Sequence, residues 1–274
     1  MADAILERLF SLHGKTALVT GGATGIGRMI ATALVAAGAS VTIASRKLEA
    51  CEAAAGEIAA EGHPGKVTAL SGDVSSEEGV TALARAIGER TDRLDVLVNN
   101  AGVSWGAPLG EFPYSAWNRV LSVNVVGLFS LTQALLPLLE ASASDEDPAR
   151  VLNLGSVMGA QPLSENVYSY AASKAAVHHL TRSLAKELAP RRITVNAFAP
   201  GPFQSKMTAF ATGTDAKAER VGRDVPLGRI GMADDIAGAT LFLCGRAGAY
   251  ITGAILPIDG GIGVMTGPEL FGEE

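Results

Sequence analysis

Residues 15–27, KTALVTGGATGIG, decide the fold. The apolar run 15–20 reads as a short buried strand that stops at a glycine cluster. Glycines stand at 21, 22, 25 and 27, and GIGRMIATALVAAG (25–38) then reads as a helix closed by Gly38. A strand, a glycine-rich turn and a helix N-terminus in that order suit a phosphate. Glycine allows close backbone approach, and the first helical turn offers free N–H groups and partial positive charge. The spacing is G-x-x-x-G-x-G, and no Lys follows the last glycine, which disfavours an ATP-type phosphate loop. Gly21, Thr24, Gly25, Ile26 and Gly27 are the candidate contacts, with a purely structural turn as the alternative reading.

Outward from this unit, strands and helices alternate. SVTIAS (40–45), KVTALSGDV (66–74), LDVLVNNAG (94–102), ARVLNLGS (149–156), ITVNAFAPG (193–201) and AILPIDGG (254–261) are further strands running into loops. Helices are expected over 48–61 and around 76–90, 114–140 and 169–189. The alternation implies right-handed βαβ units. The fold class is therefore α/β: a single-domain, Rossmann-type, doubly wound seven-stranded parallel sheet with helices on both faces. Residues 1–14 read as an amphipathic extension with Ile5, Leu6, Leu9 and Phe10 apolar, and 15–274 as one domain without a linker. Acidic, Ser-rich SASDEDPAR (142–150) reads as a solvated loop. Ligands in such a sheet bind beyond the carboxyl ends of the strands.

Composition narrows the function classes. The 274 residues carry 22 Lys and Arg against 28 Asp and Glu, so the basic excess of a nucleic-acid protein is missing. A 48% hydrophobic content with 18% charged residues suits a buried core and excludes a disordered chain. Two cysteines and four histidines show no metal-ligand spacing, and a reducing, cytoplasmic location fits. Asp3 and Glu7 argue against a signal peptide. The uncharged run VLSVNVVGLFSLTQALLPLL (120–139) has the length of a membrane span, but Ser122, Asn124, Ser130, Thr132, Gln133 and Pro137 interrupt it. It reads as a helix buried on most sides, partly by a second subunit, which predicts a homodimer or homotetramer.

The second strand ends in Ser45-Arg46-Lys47, about 18 residues after Gly27. An acid here would bond the 2′-hydroxyl of NAD, whereas Arg46 suits the 2′-phosphate of NADP. A solvated basic turn is the plainer alternative. Tyr170 and Lys174 share one face of a helix in YAASK, a spacing that by itself also suits a plain surface pair. A Lys ammonium favours the phenolate and would bring the Tyr170 pKa toward working pH. Ser156 ends a strand fourteen residues earlier, and Asn124 is a polar amide inside an apolar helix.

TGGATGIG, Asp73-Val74, NNAG, Asn124, Ser156, YAASK, Pro200-Gly201 and ITGAILPIDGG, in that order, resemble the short-chain dehydrogenase/reductase family. The resemblance covers about residues 14–263. It implies Tyr170 as general acid/base, with Lys174 on the nicotinamide ribose and lowering the Tyr pKa. Ser156 would orient the carbonyl, and Asn124 would support a water-linked proton relay. Asp73 and Val74 would contact adenine, and Asn100, Ala101 and Gly102 would line the cofactor. Pro200, Gly201 and Phe203 would border the nicotinamide, with Ser205, where the family often has Thr, bonding its carboxamide. NADP(H) is the implied cofactor, and no metal is needed.

NNAGVSWGAPL (99–109), DPARVLNLGSV (147–157), SKMT (205–208) and AYITGAILPIDGG (249–261) look most like ketoacyl reductases of the rhamnolipid-pathway type, which implies a 3-oxoacyl thioester. Arg191 could match a basic carrier-docking residue, but Ser130 stands where another is common, so docking to a carrier protein is doubtful. Sugar or polyol, steroid and small-alcohol dehydrogenases, and a dinucleotide-binding sensor or scaffold, are the alternatives. His178 reads as a packing residue rather than a base, Trp105 as a pocket wall and Trp117 as packing. Met158, Val167, Phe203, Met207 and Phe210 suggest an apolar pocket, and 202–223 a mobile lid.

Overall fold

Along each central strand, successive side chains enter opposite layers. In β1 (Thr16–Thr20), Ala17 and Val19 join one apolar layer and Leu18 the other. Val96 and Val98 against Leu97 in β4 (Val96–Asn99) repeat the alternation, as do Leu152 and Leu154 against Val151 in β5 (Ala149–Leu154). A strand apolar on both sides must be covered on both sides. The computed structural model, which describes residues 2–205 and 207–265, provides that cover. On one face lie α2 (Gly25–Ala36), α3 (Leu48–Ala60) and α11 (Ala233–Cys244), through Ile30, Leu34, Ile58, Ile236 and Leu243. On the other lie α4 (Glu77–Gly88), α6 (Leu128–Ala134), α7 (Leu136–Ser142) and α8 (Tyr168–Leu188), through Leu83, Leu131, Leu139, Leu184 and Leu188. Each such side chain contributes roughly 1.5–3 kcal/mol by leaving water.

With β2 (Ser40–Ser45), β3 (Lys66–Ser71), β6 (Ile193–Pro200) and β7 (Ile255–Ile258), the sheet has seven strands, all parallel, in the order β3-β2-β1-β4-β5-β6-β7. Chain order reverses between β1 and β4, and this switch point opens a crevice at the carboxyl ends of the strands. The seven strands and the fold class match the sequence reading. The N-terminal segment is helical as α1 (Ala2–Phe10) and is anchored by Leu12, which is buried and donates its N–H to the Ala37 carbonyl.

Three expectations need correction. The helix read over 114–140 is broken. It runs as α5 (Tyr114–Leu121), a wider π-helical turn over Ser122–Gly127, α6 and then α7, with a 55° bend at the last junction. Pro137, in the first turn of α7, has no N–H to carry the ladder through that junction. Among the described residues no single helix is long and apolar enough to cross a membrane. The 202–223 segment, in which the sequence reading places no helix, contains α9 (Ala209–Thr212) and α10 (Asp215–Arg223), which bears on its content and not on its reading as a lid; Lys206 lies outside the described residues. The third is the 142–150 loop, which is held by ion pairs rather than merely solvated. Asp147 receives Lys15 at 2.6 Å and Arg150 at 2.5 Å, while Asp95 receives Lys15 at 3.1 Å and Arg93 at 2.7 Å.

Burial alone would raise both carboxyl pKa values. The bonds from Arg93 and Thr16 to Asp95, and from Lys15 and Arg150 to Asp147, outweigh it and hold both below 3.8. Their stabilisation is therefore complete above the ordinary carboxylate range and is lost as pH falls through the lowered values. Arg150 is buried, so Asp147→Ala leaves its charge without a counter-ion. The expected loss is about 3–5 kcal/mol of unfolding free energy in denaturant titration. A loss below about 1 kcal/mol, the range of an exposed pair, would contradict the role given to this cluster.

Candidate active site

The turn after β1 is shaped by close approach. Gly21 has φ +66°, and a Cβ there would stand 2.8 Å from Asn100 Nδ2. Asn100 donates that amide to the carbonyls of Thr20 (2.9 Å) and Gly21 (3.1 Å), which fastens the β4 end to the glycine turn. Thr24 caps α2 through its backbone only, with no side-chain cap bond, so the first N–H groups of α2 stay available. Gly21, Thr24, Gly25 and Ile26 then line a cavity of about 520 Å³. Asn100, Ala101, Gly102, Ser156, Tyr170, Lys174, Pro200, Gly201, Phe203 and Ser205 line the same space. Ser45, Arg46, Asp73 and Val74 line a second cavity of about 140 Å³, and both cavities share Gly21, Ala101 and Gly102. Two predicted residues line neither. Gly27 packs against Asn100 and the Gly21 carbonyl, and Asn124 sits behind the wall.

Asn124 is buried in the π-helical turn. Its Oδ1 accepts the Val103 N–H at 2.9 Å, and its Nδ2 donates to the Val103 carbonyl and to Ser173 Oγ, both at 2.9 Å. Ser173 Oγ in turn donates to the Tyr170 carbonyl at 2.7 Å. Both amide hydrogens are thus committed to bracing the strand β4 exit against α8. Lys174 is buried beside Tyr170, its Nζ 5.5 Å from the ring centre, and donates to the Leu154 carbonyl at 2.5 Å. Burial pushes the Lys174 pKa down to about 8. The phenol departs from expectation: burial pushes its pKa up, and a bond with the Ser156 hydroxyl only partly opposes this. In the protein alone, desolvation of the phenolate sets the direction of the shift.

The packing of His178 has a use. It is buried, and its Nε2 accepts the Ser156 backbone N–H at 3.4 Å. A Cβ at Gly159 would stand 2.8 Å from the imidazole, and one at Gly155 would meet Nε2, so glycine at both positions lets the ring reach the loop. Burial, with the charges of Arg182 and Lys174, pushes its pKa down to about 4, which keeps the ring neutral and able to accept. Val103, Ser104, Arg119, Leu154, Met207 and Thr208 also line the larger cavity and were not singled out as cofactor or catalytic residues in the sequence. Of the five apolar loop residues, Phe203 and Met207 line it, whereas Met158, Val167 and Phe210 do not. Trp117 packs edge-on against Phe112, as expected of a packing residue.

The family model described as enoyl-(acyl carrier protein) reductase matches residues 21–263. The chain is 50% identical to the rhamnolipids biosynthesis 3-oxoacyl-[acyl-carrier-protein] reductase of Pseudomonas aeruginosa, over 92% of this chain and 97% of that protein. The chain belongs to the short-chain dehydrogenase/reductase family. A solved structure of Pseudomonas aeruginosa described as an RhlG/NADP active-site complex superposes with a TM-score of 0.89 at 49% identity, covering 93% of this chain and 99% of that one. The 2-dehydro-3-deoxy-D-gluconate 5-dehydrogenase of Bacillus subtilis is 38% identical over 93% of this chain and 97% of that protein. This short-chain dehydrogenase/reductase is an oxidoreductase, as its sequence motifs imply.

The imidazole seat of Ser156 makes a testable difference. His178→Leu removes the acceptor and should lower kcat about tenfold with cofactor affinity little changed, because a displaced Ser156 spoils orientation. His178→Gln, which keeps an acceptor, should restore part of the loss. Equal effects of both variants, or loss in cofactor affinity instead of kcat, would assign His178 to packing alone.

Proposed function

We propose that this chain reduces the ketone of a 3-oxoacyl thioester to the 3-hydroxy product with NADPH, and that Tyr170 is the acid. The observation that carries the reading is Tyr170, Ser156 and Lys174 on one cavity wall that continues into the cavity of Arg46. The residues present fit a dinucleotide. The glycine turn lines the cavity with Gly21, Thr24, Gly25 and Ile26, the α2 N-terminus suits a pyrophosphate, and Arg46 suits a 2′-phosphate. NADP is the ligand in the similar solved structure. When bound, the nicotinamide supplies the hydride.

The protein's own residues do the rest. Ser156, seated by His178, holds the carbonyl oxygen by its hydroxyl. Tyr170 stays protonated through neutral pH because burial raises its pKa, so it can give its proton to that oxygen as the hydride arrives. The Lys174 ammonium, fixed on the Leu154 carbonyl, has two further N–H groups for the nicotinamide ribose. It also stabilises the phenolate left behind. Asp73 and Val74 receive the adenine, and Asn100, Ala101, Gly102, Pro200, Gly201, Phe203 and Ser205 enclose the cofactor.

The working unit is a homodimer or homotetramer in the cytoplasm. Val126 and Phe129 support the assembly, being 57% and 40% exposed on adjoining helical turns where water is a poor neighbour. The two free cysteines suit a reducing location.

The reading is tested by loss of reduced-nicotinamide absorbance with a 3-oxoacyl thioester and, beside it, a keto sugar acid. Tyr170→Phe should lower kcat by two to four orders of magnitude, on the order of a general acid's contribution, and leave NADPH binding intact. Turnover preserved in that variant would exclude the mechanism. Turnover of the sugar acid alone would replace the thioester as substrate.

A further inference from the structure

The cavity around Tyr170 contains a second cation that proton transfer does not use. Lys174 is its buried charge, whereas Arg119 of α5 lines it from the exposed side. No Asp or Glu occurs among the lining residues. Among the described residues Arg119 forms no ion pair, unlike Arg93, Arg150, Arg192 and Arg229. Its guanidinium carbon stands 5.8 Å from the centre of the Trp105 ring. An aromatic face attracts and orients a guanidinium without neutralising it. The result is a fork of N–H donors kept in place at the solvent side of the cavity and still charged.

We propose that Arg119, seated on Trp105, is an anion subsite for the phosphate of the pantetheine arm that carries the acyl group. This deepens the thioester reading and rests on it. A thioester whose carbonyl reaches Tyr170 at the buried end leaves its charged arm toward solvent, where Arg119 stands. A guanidinium offers a phosphate two parallel, charge-assisted bonds, and bonds of that kind contribute more than neutral ones. Leu154 and Met207 line the same cavity and offer the acyl portion apolar surface. The phosphate could come from coenzyme A or from a carrier protein, which share this chemistry.

The test compares acetoacetyl thioesters of coenzyme A, of a carrier protein and of N-acetylcysteamine, which has no phosphate. The wild-type chain should prefer the phosphorylated thioesters in kcat/KM. Arg119→Gln should reduce that preference about tenfold, mainly through KM, and Arg119→Lys should recover part of it. A fall in preference for coenzyme A alone, or for the carrier alone, supports the subsite and names the source of the phosphate. A change in Arg119→Gln that is equal for the neutral and phosphorylated thioesters, or no change at all, would overturn the proposal. If the wild-type chain reduces none of the three, the thioester reading itself fails, which is a different result from failure of the subsite.

Discussion

Asn124 holds Val103 by both its N–H and its carbonyl, and with its remaining amide hydrogen holds Ser173 of α8. That one buried side chain joins the exit of β4 to the helix that carries Tyr170 and Lys174. A buried amide with unmet bonds costs several kcal/mol, so the three segments keep their mutual placement or forfeit the bonds together. A parallel ladder extends the same logic into the sheet. Asn99 donates to Thr132 Oγ1 at 2.9 Å and to Asn153 Oδ1 at 3.0 Å, and Asn153 donates to Thr181 Oγ1 at 3.0 Å. The helices on that face are therefore fixed by directional bonds in addition to Leu packing, which alone would tolerate sliding.

Placement of this quality is what lets burial act on the acid. The phenol and the ammonium share one cavity wall, and each is shifted toward its neutral form, Tyr170 upward and Lys174 downward to about 8. A phenol that resists ionisation is a reservoir of one proton, ready for an oxygen that gains charge. The same burial explains why simple adjacency misleads. Tyr170 and Lys174 lie on one helical face as their spacing requires, yet it is lost hydration that sets the direction of the phenol shift.

Much of this was legible in the chain. Alternating apolar strands and amphipathic helices specify the sheet, and Gly21, Arg46, Ser156, Tyr170 and Lys174 mark its carboxyl edge. The illegible parts depend on contacts between distant segments. Nothing local says that Asp147 and Asp95 will share Lys15, so an acidic stretch reads as solvated. His178 carries no motif, and its value arises from Gly155 and Gly159 on a loop that folding brings to it. The π-helical turn at Asn124 is likewise set by its tertiary bonds. Helix α11 does carry a local signal: Asp235 accepts the Met232 N–H at 2.7 Å, an acidic N-terminal cap ahead of an apolar run.

The most direct measurement is a phenolate titration by ultraviolet difference absorbance, wild type minus Tyr170→Phe, without ligand and with oxidised cofactor. The account predicts a phenol above its ordinary value of 10 in the protein alone. It predicts a marked fall once the positive pyridinium lies beside the ring, because that charge favours the phenolate. An ordinary, ligand-insensitive titration would show that Tyr170 is neither buried as described nor next to the reacting centre, and would contradict the account.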